Sequence, residues 1–188
     1  PHVHLCLQSG SDSVLRRMRR RWGTRMFIDR CNLLRESLFK PAITTDIIVG
    51  FPGETDAEFE QTLQTCRSAG FSKIHAFPFS ARRGTPAADM PNQLPGDLKN
   101  ERVHRLGEIE NELRKQYFRS LIGSEVQLLV ESETEGSETS STGRVLRGTT
   151  CRYAPAELTT DKLDFKKGSL LRVPVIDADA EKLVVAAV

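Results

Sequence analysis

The 188 residues are 38% hydrophobic and 28% charged, ordinary proportions for a globular chain and enough for one large domain or two small ones. No apolar stretch approaches the roughly 20 residues of a membrane-spanning helix, and the opening Pro1-His2-Val3-His4 shows no secretory pattern. The net charge of +2 is uneven: residues 1–40 carry +6, residues 41–121 carry −1 and residues 122–188 carry −3, so only the first block has the field of a polyanion-binding surface.

Residues 2–8 alternate, with Val3, Leu5 and Leu7 on one face and His2, His4, Cys6 and Gln8 on the other, which predicts a strand. A chain that opens on proline and begins inside a strand is expected to continue upstream. Gln8-Ser9-Gly10-Ser11-Asp12 breaks the strand, and Ser11 or Asp12 is placed to cap a short arginine-rich helix. A second helix is predicted over residues 24–39, with Phe27, Cys31, Leu34 and Leu38 at helical spacing and Pro41 at its exit.

Residues 42–49 are apolar and rich in β-branched side chains, as in a strand covered on both faces. Gly50-Phe51-Pro52-Gly53 is a tight turn, and Thr55 with Glu58 forms the Thr-x-x-Glu capping pattern of a helix carrying Phe59, Leu63 and Cys66 on one stripe. Gly70 ends that helix, and residues 73–79 read as the next strand. Strands alternating with helices at this spacing argue for a parallel α/β sheet or part of a barrel. Ligands bind at the carboxyl ends of such strands, and Gly50 and Gly53 let a backbone approach one closely; a purely structural turn is the alternative.

Residues 81–96 are rich in proline and glycine, and a long helix is predicted over residues 97–121 with Leu106, Ile109, Leu113, Tyr117 and Leu121 on its apolar face. Beyond Gly123 short β-type runs appear at residues 125–130, 143–146, 169–175 and 183–188, the pattern of a small all-β barrel or sandwich. Two domains are therefore expected, residues 1–121 and 122–188.

Two clusters carry possible chemistry. Arg16, Arg17, Arg19, Arg20, Arg21 and Arg25 fall within ten residues around Trp22, a set able to neutralise phosphates and stack on a base. The alternative is a solvated helix face. No acidic run lies beside the cluster in sequence, which favours phosphate contact. Changing Arg19, Arg20 and Arg21 to Ala is then expected to weaken nucleic-acid binding and flatten its salt dependence. The other cluster is the His2, His4, Cys6 face. Imidazole and thiolate suit a zinc ion, but alternate residues of one strand stand about 7 Å apart, so polar lining of a barrel interior is the preferred reading. The four cysteines, Cys6, Cys31, Cys66 and Cys151, form no Cys-x-x-Cys pair and fit reduced thiols in a cytoplasmic protein. Cys151 is expected to be a small packed side chain.

Four motifs recur in this order in one family: Pro1-His2-Val3-His4-Leu5-Cys6-Leu7-Gln8-Ser9-Gly10, Arg16-Arg17-Met18-Arg19-Arg20, Gly50-Phe51-Pro52-Gly53-Glu54-Thr55, and His75-Ala76-Phe77-Pro78-Phe79-Ser80 followed by Arg82, Gly84, Thr85, Pro86 and Ala87. Over residues 1 to about 120 the chain resembles the second half of the radical S-adenosylmethionine (SAM) methylthiotransferases. Residues 122–188 are similar in position, length and strand pattern to that family's terminal RNA-binding β-domain, called TRAM. Gln8-Ser9-Gly10 and the His75–Ser80 stretch look most like the branch that modifies N6-threonylcarbamoyladenosine next to the tRNA anticodon, at position 37. The isopentenyladenosine branch is the alternative, as is a non-catalytic RNA-binding module.

The resemblance implies an α/β fold: the C-terminal part of a partial (β/α)6 radical SAM barrel, followed by a small all-β, OB-like domain. It implies SAM and two 4Fe–4S clusters as cofactors of the full-length enzyme, which generates a 5′-deoxyadenosyl radical and adds a methylthio group to C2 of the adenine. The cluster cysteines of a Cys-x3-Cys-x2-Cys loop are absent here and would lie upstream of Pro1. These residues therefore include no catalytic or metal-ligating position, and on their own they are expected to be inactive. Gln8 and Ser9 are placed toward the ribose or methionine part of SAM, Gly50 with Ile48 or Phe51 near its adenine, and Phe77 and Pro78 at the adenine edge. The implied partners are a tRNA anticodon stem-loop and an electron donor such as flavodoxin or ferredoxin, with no membrane. RNA contacts are expected from the arginine cluster with Trp22. In the β-domain they are expected from Arg144, Arg147 and Arg152 with Tyr153, the acidic Glu131, Glu133, Glu135 and Glu138 being turned away. Half a barrel leaves an unpaired strand edge, so marginal stability or self-association is also expected.

Overall fold

Ala42–Val49 is the central strand, β2, of a three-stranded sheet in a computed structural model that describes residues 1–135, 144–161 and 164–187. It lies between β1 (His2–His4) and β3 (Lys73–Pro78). β2 and β3 are parallel, with Thr45 opposite Ile74, Ile48 opposite Phe77 and Val49 opposite Pro78. The predicted first strand is shorter than its alternation suggested. After His4 the chain still follows β2 through Leu5 N–H to Thr44 O and Gln8 N–H to Asp46 O, both 2.9 Å. The Leu7 N–H, however, donates to the Thr45 hydroxyl at 3.0 Å, so a side chain replaces one rung of the ladder.

One face of the sheet is sealed by helices. Ile43, Ile47, Val49 and Ile74 pack with Phe27 and Cys31 of α2 (Thr24–Ser37), Phe59, Leu63 and Cys66 of α3 (Asp56–Ala69), and Leu106, Ile109 and Leu113 of α4 (Gly96–Ser120). These are the stripes that the helical spacing marked out, and their burial supplies the hydrophobic stabilisation. The capping pattern at α3 is realised in both directions: Thr55 Oγ1 accepts from Glu58 N, and Glu58 Oε2 accepts from Thr55 N. Gly70 terminates α3 in a left-handed conformation. The short helix α1 (Asp12–Arg17) has no side-chain cap from Ser11. Asp12 Oδ1 instead accepts from Thr24 N at 2.7 Å, satisfying the first turn of α2. Gly10 is required by space, because a Cβ there would lie 2.5 Å from Thr62 Cα.

The chain divides into two compact units. One comprises Val3–Phe39 with Ile43–Leu113, and the other Pro1–His2, Lys40–Ala42 and Arg114–Val188. The second unit is built on a closed five-stranded barrel in the order β4-β5-β6-β8-β7: β4 (Glu125–Glu135), β5 (Arg144–Thr150), β6 (Pro155–Thr160), β7 (Leu170–Ala178) and β8 (Leu183–Val185). Val126, Leu128 and Val130, Leu146, Ala156 and Leu158, Val173 and Val175, and Leu183 and Val185 fill it, with Phe118 and Leu121 packed on the same core. β4 bends at a bulge between Val130 and Ser132. Gly148 faces that bend, where a Cβ would sit 1.8 Å from Leu129 O. β6 had no forecast: Pro-Ala-Glu-Leu-Thr-Thr lacks large β-formers, yet Ala156, Leu158 and Thr160 alternate inward. Glu138, Gly143 and Val188, which belonged to sequence expectations, lie outside the described residues.

The fold is thus mixed α/β with a separate five-stranded barrel. No helix among the described residues is long and apolar enough to cross a membrane.

Candidate functional site

The carboxyl ends of β2 and β3 open onto a cavity of about 210 Å³. Ile48, Phe51 and Phe79 form its apolar side, the Phe51 and Phe79 rings meeting edge to face at 5.2 Å. Met18, Arg19 and Arg20, from the turn after α1, form a second wall, and Thr85, Pro86, Ala87 and Met90 form a third. Two motifs far apart in sequence, the arginine cluster and the Gly-Phe-Pro-Gly turn, therefore share one cavity.

Several contacts hold that geometry. Gln8 is nearly buried and adopts a left-handed backbone, φ +72°, a conformation that costs about 1–3 kcal/mol outside glycine and concentrates at functional sites. Its Oε1 accepts from Arg20 Nη2 at 2.9 Å, and the Arg20 guanidinium lies 5.4 Å from the centre of the Trp22 ring. Gly50, also left-handed at φ +72°, donates its N–H to Glu54 Oε1 at 3.0 Å. A Cβ at Gly50 would meet the Lys99 side chain at 2.3 Å, so its glycine is set by Lys99 packing as well as by the turn. Glu54 is in turn clasped by Arg102 at 2.6 Å, with both side chains almost wholly buried. Burial pushes the Glu54 carboxyl above the usual carboxylate range, while the Gly50 N–H and Arg102 favour its ion. Nothing in the local pattern around Arg102 marked it as the anchor of the turn, because its partner is 48 residues away.

Arg17 has a different role from its neighbours. Its guanidinium grips Glu58 at 2.8 and 2.9 Å, and Ser13 Oγ donates to the same carboxylate at 2.5 Å. This fork holds the Glu58 carboxyl well below its ordinary range, at about 2, chiefly through the Arg17 bond. Glu58 is the acidic partner that the sequence around the cluster did not show. Arg16, Arg19 and Arg21 are exposed.

The other anticipated positions scatter. Ser9 is fully buried, and its hydroxyl accepts from Ser11 N at 3.2 Å, so it turns into the core and does not line the cavity. Phe77 and Pro78 are exposed, and neither lines the cavity. In the barrel, Arg144 is paired with Glu133 at 2.5 Å and Arg147 with Glu157 at 3.4 Å. Arg152 is buried and donates to Lys40 O at 2.7 Å and Pro1 O at 3.3 Å. It closes backbone carbonyls and presents no surface cation. Cys151, expected to be packed, is exposed. Cys31 and Cys66 are core thiols, and burial pushes Cys66 up to about 12.

Residues 1–66 match the Radical SAM superfamily. The chain is 43% identical over 137 residues to the threonylcarbamoyladenosine tRNA methylthiotransferase MtaB of Bacillus subtilis, covering 73% of this chain and 30% of that protein. It is 45% identical over 143 residues to a tRNA-2-methylthio-N(6)-dimethylallyladenosine synthase of Saccharopolyspora erythraea, covering 76% and 29%. A synthase of the same description from Mycobacterium marinum is 38% identical over 190 residues, covering 98% and 35%. The chain spans about a third of the length of these curated relatives. The last alignment runs through the barrel unit as well as the sheet.

Proposed function

We propose that this chain is part of a radical SAM methylthiotransferase that modifies tRNA at threonylcarbamoyladenosine. The observation that carries the reading is the cavity where Arg19 and Arg20 meet Ile48, Phe51 and Phe79 at the carboxyl ends of the parallel strands. Ligands of open α/β sheets bind at such an end. At about 210 Å³ it falls below the roughly 300 Å³ at which ligand pockets usually begin, so it takes part of a nucleotide-like molecule. Ile48, Phe51 and Phe79 suit a flat heteroaromatic ring, and Arg19 or Arg20 suits a carboxylate or ribose at its edge. These residues fit SAM. When bound, SAM supplies the radical and the methyl group of the reaction.

The residues of this chain bind and position. Arg20 fixes the Gln8 amide, the Glu54–Arg102 pair fixes the turn at Gly50, and Phe51 with Phe79 forms the apolar side of the cavity. The described cysteines do not fit an iron–sulfur cluster, since Cys31 and Cys66 are core side chains and Cys6 and Cys151 belong to different units. No step is assigned to a cluster held here.

The barrel unit is proposed to be the TRAM-like RNA-binding domain, and the sheet unit the last strands of the partial radical SAM barrel. Arg16, Arg19 and Arg21, exposed on one short segment, are the proposed phosphate contacts. Arg17, Arg144 and Arg147 are already ion-paired. The threonylcarbamoyladenosine branch rests on Gln8-Ser9-Gly10 and the His75–Ser80 stretch. The dimethylallyladenosine branch is a second reading, favoured by the similarity to several dimethylallyladenosine synthases.

The test is mass spectrometry of tRNA nucleosides from cells lacking the intact gene. Loss of 2-methylthio-N6-threonylcarbamoyladenosine, with its unthiolated precursor accumulating, is expected. Loss of the dimethylallyl counterpart would move the substrate to the second reading. An unchanged profile, in a strain without a second related gene, would contradict both.

A further inference from the structure

The sheet face opposite the helices carries a second constellation. His4 Nε2 lies 3.2 Å from Cys6 Sγ and 3.4 Å from Asp46 Oδ2, and Cys6 Sγ lies 3.8 Å from the same carboxylate. Three ligand atoms of different kinds thus converge on one point. With metal–sulfur bonds of about 2.3 Å and metal–nitrogen or –oxygen bonds of about 2.0–2.2 Å, the edges of a tetrahedral zinc site are about 3.3–3.6 Å long. The three observed separations fall on or within a few tenths of an ångström of these edges.

The orientation is also that of a ligand set. His4 Nδ1 is 2.9 Å from Thr44 Oγ1, so a hydrogen bond holds the far ring nitrogen and leaves Nε2 pointing at Cys6 and Asp46. Metal-bound histidines are held in this way by a partner behind the ring. The three side chains are exposed or half-exposed, so an ion can enter, and the fourth vertex is open to water or to His75, whose ring centre lies 6.1 Å from that of His4. The His2, His4, Cys6 set considered from sequence is not the one that forms. The His2 ring stacks on Tyr153 at 4.2 Å, and the neighbouring strand supplies Asp46. The objection that alternate residues of one strand stand too far apart is answered by side chains that lean together and by this cross-strand carboxylate.

We propose that His4, Cys6 and Asp46 form a binding site for one zinc-like divalent transition-metal ion, with Thr44 as the residue that orients His4. One thiolate, one imidazole and one carboxylate select borderline-soft ions such as zinc or cobalt(II) over magnesium or calcium. The site is separate from the proposed SAM cavity in its ligands, and its test reads metal binding alone.

The 188-residue chain, stripped of metal, is titrated with cobalt(II). One equivalent should produce a thiolate-to-cobalt charge-transfer band and the visible bands of a tetrahedral ion, and zinc should bleach both. Cys6→Ser should abolish the charge-transfer band, and Cys151→Ser should leave it intact. Asp46→Asn should weaken binding by at least about tenfold, and Thr44→Val by about 10- to 100-fold, as loss of an outer partner usually does. If Cys6→Ser does not fold, alkylation of the unmodified chain replaces it: zinc should protect Cys6 and leave Cys151 reactive. No thiolate band, a band that survives Cys6→Ser, or equal labelling of Cys6 with and without zinc would overturn the proposal.

Discussion

The two units solve the same problem, burying an apolar face, in opposite ways. The barrel closes on itself in the order β4-β5-β6-β8-β7, so its edges are paired and its inward side chains are mostly aliphatic. The three-stranded sheet covers one face with α2, α3 and α4 and leaves His4, Cys6, Asp46, His75 and Phe77 on the other. Closure spends every inward position on packing, whereas an open parallel sheet keeps strand ends and one face for chemistry. The left-handed Gln8, the buried Glu54–Arg102 pair and the arginine-walled cavity all lie in the sheet unit.

This contrast can be broken from either side. The largest effect is expected at Gly148, where a side chain would collide with Leu129 O. Gly148→Val should cost about 3–5 kcal/mol and act on the barrel. Both tyrosines, Tyr117 and Tyr153, lie in the barrel unit and the single tryptophan, Trp22, in the sheet unit. Tyrosine signals should therefore melt early while Trp22 fluorescence keeps its transition. Simultaneous loss of both would mean that the units do not unfold separately.

Arg102→Met should come next. It leaves Glu54 buried without its partner, a change that costs about 3–5 kcal/mol in comparable pairs, and it should lower the Trp22 transition. A neutral result would show that the Gly50 turn stands without the pair.

The smallest effect is pH-dependent. The Glu58 carboxyl sits at about 2 in the folded chain, against an ordinary 4.5, chiefly because of Arg17. Its contribution is fully present above about pH 4.5 and lost as pH falls through about 2. Glu58→Gln should therefore be less stable than the parent by about 2 kcal/mol near neutrality, allowing for screening at partly exposed Arg17. The gap should close between pH 4.5 and 2 in acid titrations of Trp22 fluorescence. A constant gap across that window would contradict the Arg17–Glu58 assignment.

How much of this could be read in advance depended on range. Ala42–Val49, the Thr55–Glu58 capping box and the Gly70 terminus follow from neighbours in sequence, where period and cap chemistry act within a few residues. Pro155–Thr160 was missed because small and polar residues hide its alternation. The arginine cluster was visible, but its division was not: Arg17 is fixed by Glu58 over 41 residues, and Arg20 by Gln8 through a backbone turn that no pattern announces. The clearest case is Asp46. It reads as an ordinary member of a strand, and only the pairing of neighbouring strands brings it to His4 and Cys6.

The proposal that the arginine-walled end of the sheet serves tRNA methylthiolation is tested most directly by altering the cavity within the intact gene. Arg20→Met and Ile48→Ala should each reduce the ratio of methylthiolated to unthiolated tRNA nucleoside by about tenfold or more, through misplacement of the bound molecule, with protein levels unchanged. Full methylthiolation in both variants would contradict the account.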